Sequence, residues 1–174
     1  MRQGELARAL IVGCGCRGRL VGKRLLAKGW QVRGTSRSEE GLTAIEAAGI
    51  EPALADPGRP DAVLDLVADV TVVYWLFGSA EGSAEELAAI HGPRLDRVLE
   101  RLVDTPVRGF VYEAAGSVDP ILLARGREAV EAAAETWHIP VSFVLVDPND
   151  ISTWDDAVAV WTDAVSSAVL GLFE

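Results

Sequence analysis

Cysteine is scarce in this 174-residue chain: Cys14 and Cys16 are the only two, and a single residue separates them. That spacing is too tight for an ordinary loop-closing disulfide, so both thiols are expected to be reduced. Histidine is equally rare; His91 and His138 stand alone, neither in a metal-ligand pattern, and no metal site is expected. No apolar run approaches the roughly 20 residues of a membrane span, and the amino terminus passes almost directly into a short strand-like segment. The expectation is therefore a cytoplasmic protein with no membrane partner. Acids are missing from one end: the first 37 residues hold nine basic residues and one acid, while the remainder holds seven and 25 and brings the net charge to −10. So acidic a remainder argues against a nucleic-acid partner, whereas a local positive field suits a small polyanion. Lys23, Arg24 and Lys28 are read as the solvated face of a helix.

What is present in quantity is core. Hydrophobic residues make up 49% and charged residues 24%, the balance of a folded globular domain, and the length fits one domain over residues 1–174. Short β-branched runs alternate with helix-like segments, the pattern of a three-layer, doubly wound parallel sheet with helices on both faces. Six strands are predicted, at Ala9–Val12, Gln31–Gly34, Glu51–Leu54, Val70–Leu76, Gly109–Tyr112 and Val141–Val146. Apolar positions at offsets of three and four define buried helix faces: Gly18, Val21, Gly22 and Leu25; Leu95, Val98, Leu99 and Leu102; and Val130, Ala133, Ala134 and Trp137. Gly29, Gly49, Pro106 and Pro140 punctuate the pattern. A last helix is predicted from about Trp154, its stripe running through Val158, Trp161, Val165, Ala168 and Leu172. That face, with Trp154 and Trp161, either packs on the sheet or forms a homodimer contact.

The first strand runs directly into Gly13-Cys14-Gly15-Cys16-Arg17-Gly18, a G-x-G-x-x-G between an apolar strand and an amphipathic helix. In that context Gly13 permits the tight turn, Gly15 lets the backbone approach a diphosphate, and Gly18 brings helix onto strand. Amides at the helix start, around Cys16 and Arg17, then face the phosphates. This is the fingerprint of a Rossmann-type domain that binds a dinucleotide. About 20 residues on, an NAD-preferring domain carries an acid for the ribose hydroxyls. Thr35, Ser36, Arg37 and Ser38 stand here instead, and an arginine among hydroxyls pairs with a 2′-phosphate, so NADP is the expected cofactor and NAD the lesser one. Asp56, after the third strand, either accepts from the adenine amino group or caps the next turn.

These segments, together with Gly29-Trp30-Gln31-Val32-Arg33-Gly34-Thr35-Ser36-Arg37, Ala55-Asp56 and Arg108-Gly109-Phe110-Val111-Tyr112, resemble the short-chain dehydrogenase/reductase superfamily in its extended NAD-dependent epimerase/dehydratase branch. The resemblance implies that Arg37 holds the adenosine phosphate and Asp56 the adenine. It also implies a catalytic tyrosine followed four residues later by a lysine that lowers the phenol's pKa. This chain has no such pair. Its only lysines are Lys23 and Lys28, and its tyrosines, Tyr74 and Tyr112, precede Gly78 and Gly116 at that spacing. The matching helix places Leu123 and Arg127 at the two positions, and arginine is a poor substitute for a tunable lysine. Ala114 and Ala115 replace the paired serines after the fifth strand, and little chain follows the sixth to enclose a substrate.

In a doubly wound sheet the ligand crevice lies beyond the carboxyl ends of the strands where their order reverses, so Gly13, Phe77, Gly78, Tyr112 and Glu113 are expected there. Phe77 and Gly78 join the cofactor-binding candidates. Tyr112 and Glu113 are the weak catalytic candidates, as proton donor and general base, against core and loop-capping roles for the same two side chains. Cys14 and Cys16 are either redox-responsive thiols at a helix start or small side chains in a crowded loop. The resulting expectation is an NAD(P)(H)-binding Rossmann protein that is either an oxidoreductase of atypical mechanism or a non-catalytic sensor of NADP(H).

Overall fold

The computed structural model of the chain describes residues 7–147. Six strands form one all-parallel sheet in the order β3-β2-β1-β4-β5-β6. They are β1 (Arg8–Val12), β2 (Gln31–Ser36), β3 (Glu51–Leu54), β4 (Val72–Trp75), β5 (Gly109–Glu113) and β6 (Val141–Val144). Each coincides with a predicted run; β4 and β6 are shorter than their apolar stretches, and β2 continues two residues further, to Ser36. The helices are α1 (Cys16–Ala27), α2 (Glu39–Ala47), α3 (Pro60–Leu64), α4 (Ala84–Ile90), α5 (Pro93–Leu102) and α6 (Pro120–Trp137). The predicted helix bearing Trp154 and Trp161 lies outside the described residues, and with it the homodimer reading.

Strand periodicity divides the core in two. Leu10, Val12, Val73, Trp75, Phe110 and Tyr112 face α3, α5 and α6, while Ala9, Ile11, Val32, Val72, Tyr74 and Val111 share the opposite cluster with α1 and α2. Full burial of each such aliphatic or aromatic side chain contributes about 1.5–3 kcal/mol. The buried residues of α1 and α5 are the predicted ones, Gly18, Val21, Gly22 and Leu25 in the first and Leu95, Val98, Leu99 and Leu102 in the second. On α6 the face is rotated toward the amino end: Leu123, Gly126, Val130 and Ala133 are buried, and Trp137 is 37% exposed. Trp137 belongs to the last turn of the helix, which ends at His138 in the left-handed region (φ 56°).

The order reverses between β1 and β4, which are hydrogen-bonded neighbours with Val12 opposite Trp75. The loops leaving those two strands therefore part to opposite sides and open a crevice between them.

Candidate functional site

That crevice is a cleft of about 540 Å³ running across the carboxyl ends of β3, β2, β1, β4 and β5. Of the ten predicted cofactor-binding residues, nine line it: Gly13, Gly15, Cys16, Arg17, Gly18, Ser36, Arg37, Asp56 and Phe77. Gly78 does not. It is buried behind the wall, where a Cβ would fall 2.2 Å from the Ala115 carbonyl oxygen and 2.4 Å from Glu113 Oε1.

The glycine loop is built by what its residues lack. Gly13 sits at φ +86°, a conformation other residues avoid, and a Cβ there would lie 2.8 Å from the Leu76 carbonyl oxygen. Its N–H donates to Thr35 Oγ1 at 3.3 Å and the next N–H, of Cys14, to the Thr35 carbonyl at 3.3 Å, so the loop is tied to the end of β2. At Gly18 a Cβ would stand 3.1 Å from the Gly13 carbonyl oxygen and 3.4 Å from Ile11 Cγ2, the close helix-on-strand approach expected of it. Gly15 differs: nothing lies within 4 Å of its Cβ position, which opens on the cleft. No side chain caps α1 at Gly15. The helix therefore begins on empty space with its positive dipole end foremost.

Cys14 is not a reactive thiol. Its sulfur is buried over Gly34, 2.6 Å from where a Cβ would be, and burial pushes its pKa up to about 12 against the weaker opposing pull of Arg19. The small side chain in a crowded loop is the reading the geometry supports. Cys16, by contrast, is exposed on the first residue of α1.

At the β2 end, Arg37 is exposed and makes no hydrogen bond or ion pair with another described residue. Ser36 Oγ accepts from Ser38 N–H at 3.3 Å, and Ser38 caps α2 by accepting from Gly41 N–H at 3.1 Å. Asp56 Oδ1 accepts from Gly58 N–H at 2.8 Å, so the carboxylate does close the turn after β3, with its residue still on the cleft wall. Sequence reasoning missed Arg19, Ser79, Glu81, Glu86 and Arg94, which also line the cleft. Arg19 carries no motif of its own, and the other four lie on the β4 exit, α4 and α5, whose approach to the cleft is a matter of tertiary packing.

Of the two catalytic candidates, Glu113 lines the cleft and is 1% exposed, whereas Tyr112 points away from it. The Tyr112 hydroxyl packs on α6, where a Cβ on Gly126 would fall within 2 Å of it. It also meets His91, fully buried at the end of α4, whose Nδ1 lies 2.7 Å away; His91 Nε2 is 3.0 Å from the Phe77 carbonyl oxygen. A carbonyl only accepts, so Nε2 carries the hydrogen and the Tyr112 hydroxyl donates to Nδ1. Burial, with the Glu113 carboxylate adding to it, holds the phenol above its ordinary pKa. Tyr112 is thus a core residue with its proton committed, as strand alternation from Glu113 requires. Leu123 and Arg127 are off the cleft too: Leu123 is buried in α6, and Arg127 donates to Glu131 at 3.1 Å while lying 5.0 Å over the Phe143 ring.

His91 is itself held below its usual pKa by burial, partly offset by the Phe77 carbonyl. The unfolded chain therefore takes up this proton at a higher pH than the folded one, and stability falls on acidification between 6.5 and the lower folded value. Thermal melts near neutral and mildly acidic pH should show this slope, and His91→Gln should melt lower at neutral pH yet lose less on acidification. Parallel slopes in the two proteins would mean that His91 titrates alike folded and unfolded.

No family model and no curated protein sequence matches the chain. Solved structures do. UDP-glucuronic acid 4-epimerase from Bacillus cereus, solved with NAD, shares 15% identity and a TM-score of 0.62 over 78% of this chain and 55% of that one. The fold is Rossmann-like. A short-chain dehydrogenase from Streptomyces avermitilis aligns over 82% of this chain and 65% of its own at 18% identity and a TM-score of 0.61. The triphenylmethane reductase of Citrobacter sp., known in complex with NADP(H), gives 24% identity and 0.59 over 78% and 48%. This chain thus spans about half to two thirds of those structures' lengths. No helix among the described residues is long and apolar enough to cross a membrane.

Proposed function

We propose that this chain binds NADP(H) in the cleft, with the diphosphate before Gly15 and the adenosine phosphate at Ser36 and Arg37, and that it is a relative of the short-chain dehydrogenases and epimerases. One observation carries the reading. The space before Gly15, at the uncapped start of α1, is continuous with an exposed arginine that has no partner among the described residues. A diphosphate fits the first by charge and by the missing side chain, and a 2′-phosphate fits the second as a bidentate partner. The volume is that of a small-molecule site. Bound there, the nicotinamide would supply hydride chemistry. This chain's residues supply the holding: Cys16, Arg17 and Gly18 around the diphosphate, Ser36 and Arg37 at the phosphate, Asp56 and Phe77 along the walls.

Turnover is the weaker part of the family reading. The hydroxyl of Tyr112 is committed to His91, and the positions corresponding to the family's tyrosine and lysine lie away from the cleft. That favours a protein which reads NADP(H) and passes the state of its cleft to a partner. The deciding measurement is calorimetry with all four nicotinamide dinucleotides. Arg37→Asp is expected to weaken NADP(H) about tenfold or more, since an acid replaces the pairing cation, and to spare or improve NAD(H). Equal loss of both would remove the preference for the phosphorylated form.

A further inference from the structure

Arg19 has no role yet, although it lines the cleft together with Thr35, Ser36, Arg37 and Gly41. Helix geometry puts it there. Gly22, one turn further along α1, faces the β2 and β3 side of the sheet: a Cβ on it would lie 2.4 Å from Ile50 Cδ1 and 3.4 Å from Val32 Cγ1. Residues three apart share a helix face, so Arg19 lies over that same side. Because α1 starts beyond the carboxyl end of β1, Arg19 is also one turn nearer the cleft. Its charge reaches the Cys14 thiol, which packs over Gly34 of β2. Arg17 is about 200° away around the helix, on the opposite flank, and is already engaged.

Arg19 is half-buried, yet no carboxylate or other acceptor among the described residues takes its guanidinium. The acids of the β2 and β3 exits are otherwise placed. Asp56 Oδ1 accepts from Gly58 N–H, and Glu39 and Glu40, in the first turn of α2, do not line the cleft. A guanidinium drawn partly out of water with no counter-charge is suited to an anion brought from outside. We infer that Arg19 is the second cation of the adenosine-phosphate site, closing on the 2′-phosphate from α1 while Arg37 holds it from the end of β2. A phosphate monoester carries nearly two negative charges at neutral pH, more than one guanidinium balances. The inference rests on the cofactor reading above, and it divides the arginines of α1 between the two phosphate groups, Arg17 with the diphosphate and Arg19 with the monoester.

The test is binding alone. Calorimetry on the full chain uses NADP+ and NAD+, together with two fragments: 2′,5′-ADP, which has the 2′-phosphate without the diphosphate, and ADP, which has the reverse. Arg19→Gln should weaken NADP+ and 2′,5′-ADP about tenfold, the order expected of one charged hydrogen-bond partner, and change NAD+ and ADP by less than about twofold. Arg19→Lys, which keeps the charge and loses the fork, should fall between, and decides by the same selective loss should Arg19→Gln fail to fold. A loss shared by NADP+ and NAD+ would put Arg19 on the diphosphate and overturn the inference, and so would no loss at all. If the unaltered chain binds none of the four, or binds NADP+ and NAD+ alike, the cofactor reading itself fails and takes the inference with it, before any substitution is made.

Discussion

Gly15→Val should lower the affinity for NADP(H) about 100-fold, or about 2.7 kcal/mol, while leaving the fold in place. The two effects separate because of where the glycine sits. Its backbone, at φ −81° and ψ −158°, is open to any residue, and its Cβ position has no neighbour within 4 Å, so the new side chain meets nothing in the free protein. The loss in stability should stay within about 1 kcal/mol, the difference between glycine and valine beside a helix start. On the proposed reading, the isopropyl group would stand where the diphosphate comes, and both its volume and its screening of the helix amides would oppose binding. Gly13→Ala makes the contrast. At φ +86°, with the Leu76 carbonyl oxygen 2.8 Å from the added carbon, it should destabilise the fold by about 1–3 kcal/mol. Chemical denaturation and calorimetry on the two variants separate these roles, and undiminished binding by Gly15→Val would place the phosphates elsewhere.

The contrast also marks what could be read from the sequence. G-x-G-x-x-G names three glycines with three reasons, and each reason reappears as a distance: a positive φ at Gly13, empty space at Gly15, a helix pressed to a strand at Gly18. Strands such as β1 and β4 were legible because a parallel strand covered on both faces demands a continuous apolar run, and such runs are local; β2 and β3, Gln-Val-Arg-Gly-Thr-Ser and Glu-Pro-Ala-Leu, were legible from their place in the alternation with helix-like segments. The face of α5 was legible for the same reason, since Leu95, Val98, Leu99 and Leu102 repeat at helical spacing. Periodicity says which side of a helix is apolar, but not where along its length the sheet ends. Hence Trp137 was assigned to the core, and Leu123 and Gly126 were not.

Gly78 and Tyr112 failed as cleft residues for a related reason. Both lie at the ends of the right strands, but the side on which each faces its neighbours is decided by contacts distant in sequence. His91 was missed altogether. It follows a short helix with no buried residue of its own, and its partners, Phe77 and Tyr112, are 14 and 21 residues away. Nothing local marks a histidine as buried, least of all one beside Gly92 and Pro93, which read as a break.

The same contacts make Gly126→Ala a severe change, against the intrinsic preference of its helix. In an exposed position alanine would stabilise α6 by about 1 kcal/mol over glycine. Here the added methyl lands on the Tyr112 hydroxyl and 2.5 Å from its Cζ, where the ring is fully buried and its hydroxyl is bound to His91. The expected result is a net loss of about 1–3 kcal/mol, read as a melting temperature lower by roughly 3–10 °C. Tyr112→Phe alone should also destabilise, because it leaves His91 Nδ1 buried without its donor. Combined, the two should fall short of their sum, since removing the hydroxyl relieves the closest contact, while the ring carbon 2.5 Å away still has to give. Strict additivity would show that α6 moves aside in the single variant. Because the hydroxyl turns its back on the cleft, NADP(H) affinity should survive in any of these variants that still folds, and a loss there would return Tyr112 to the ligand's side of the sheet.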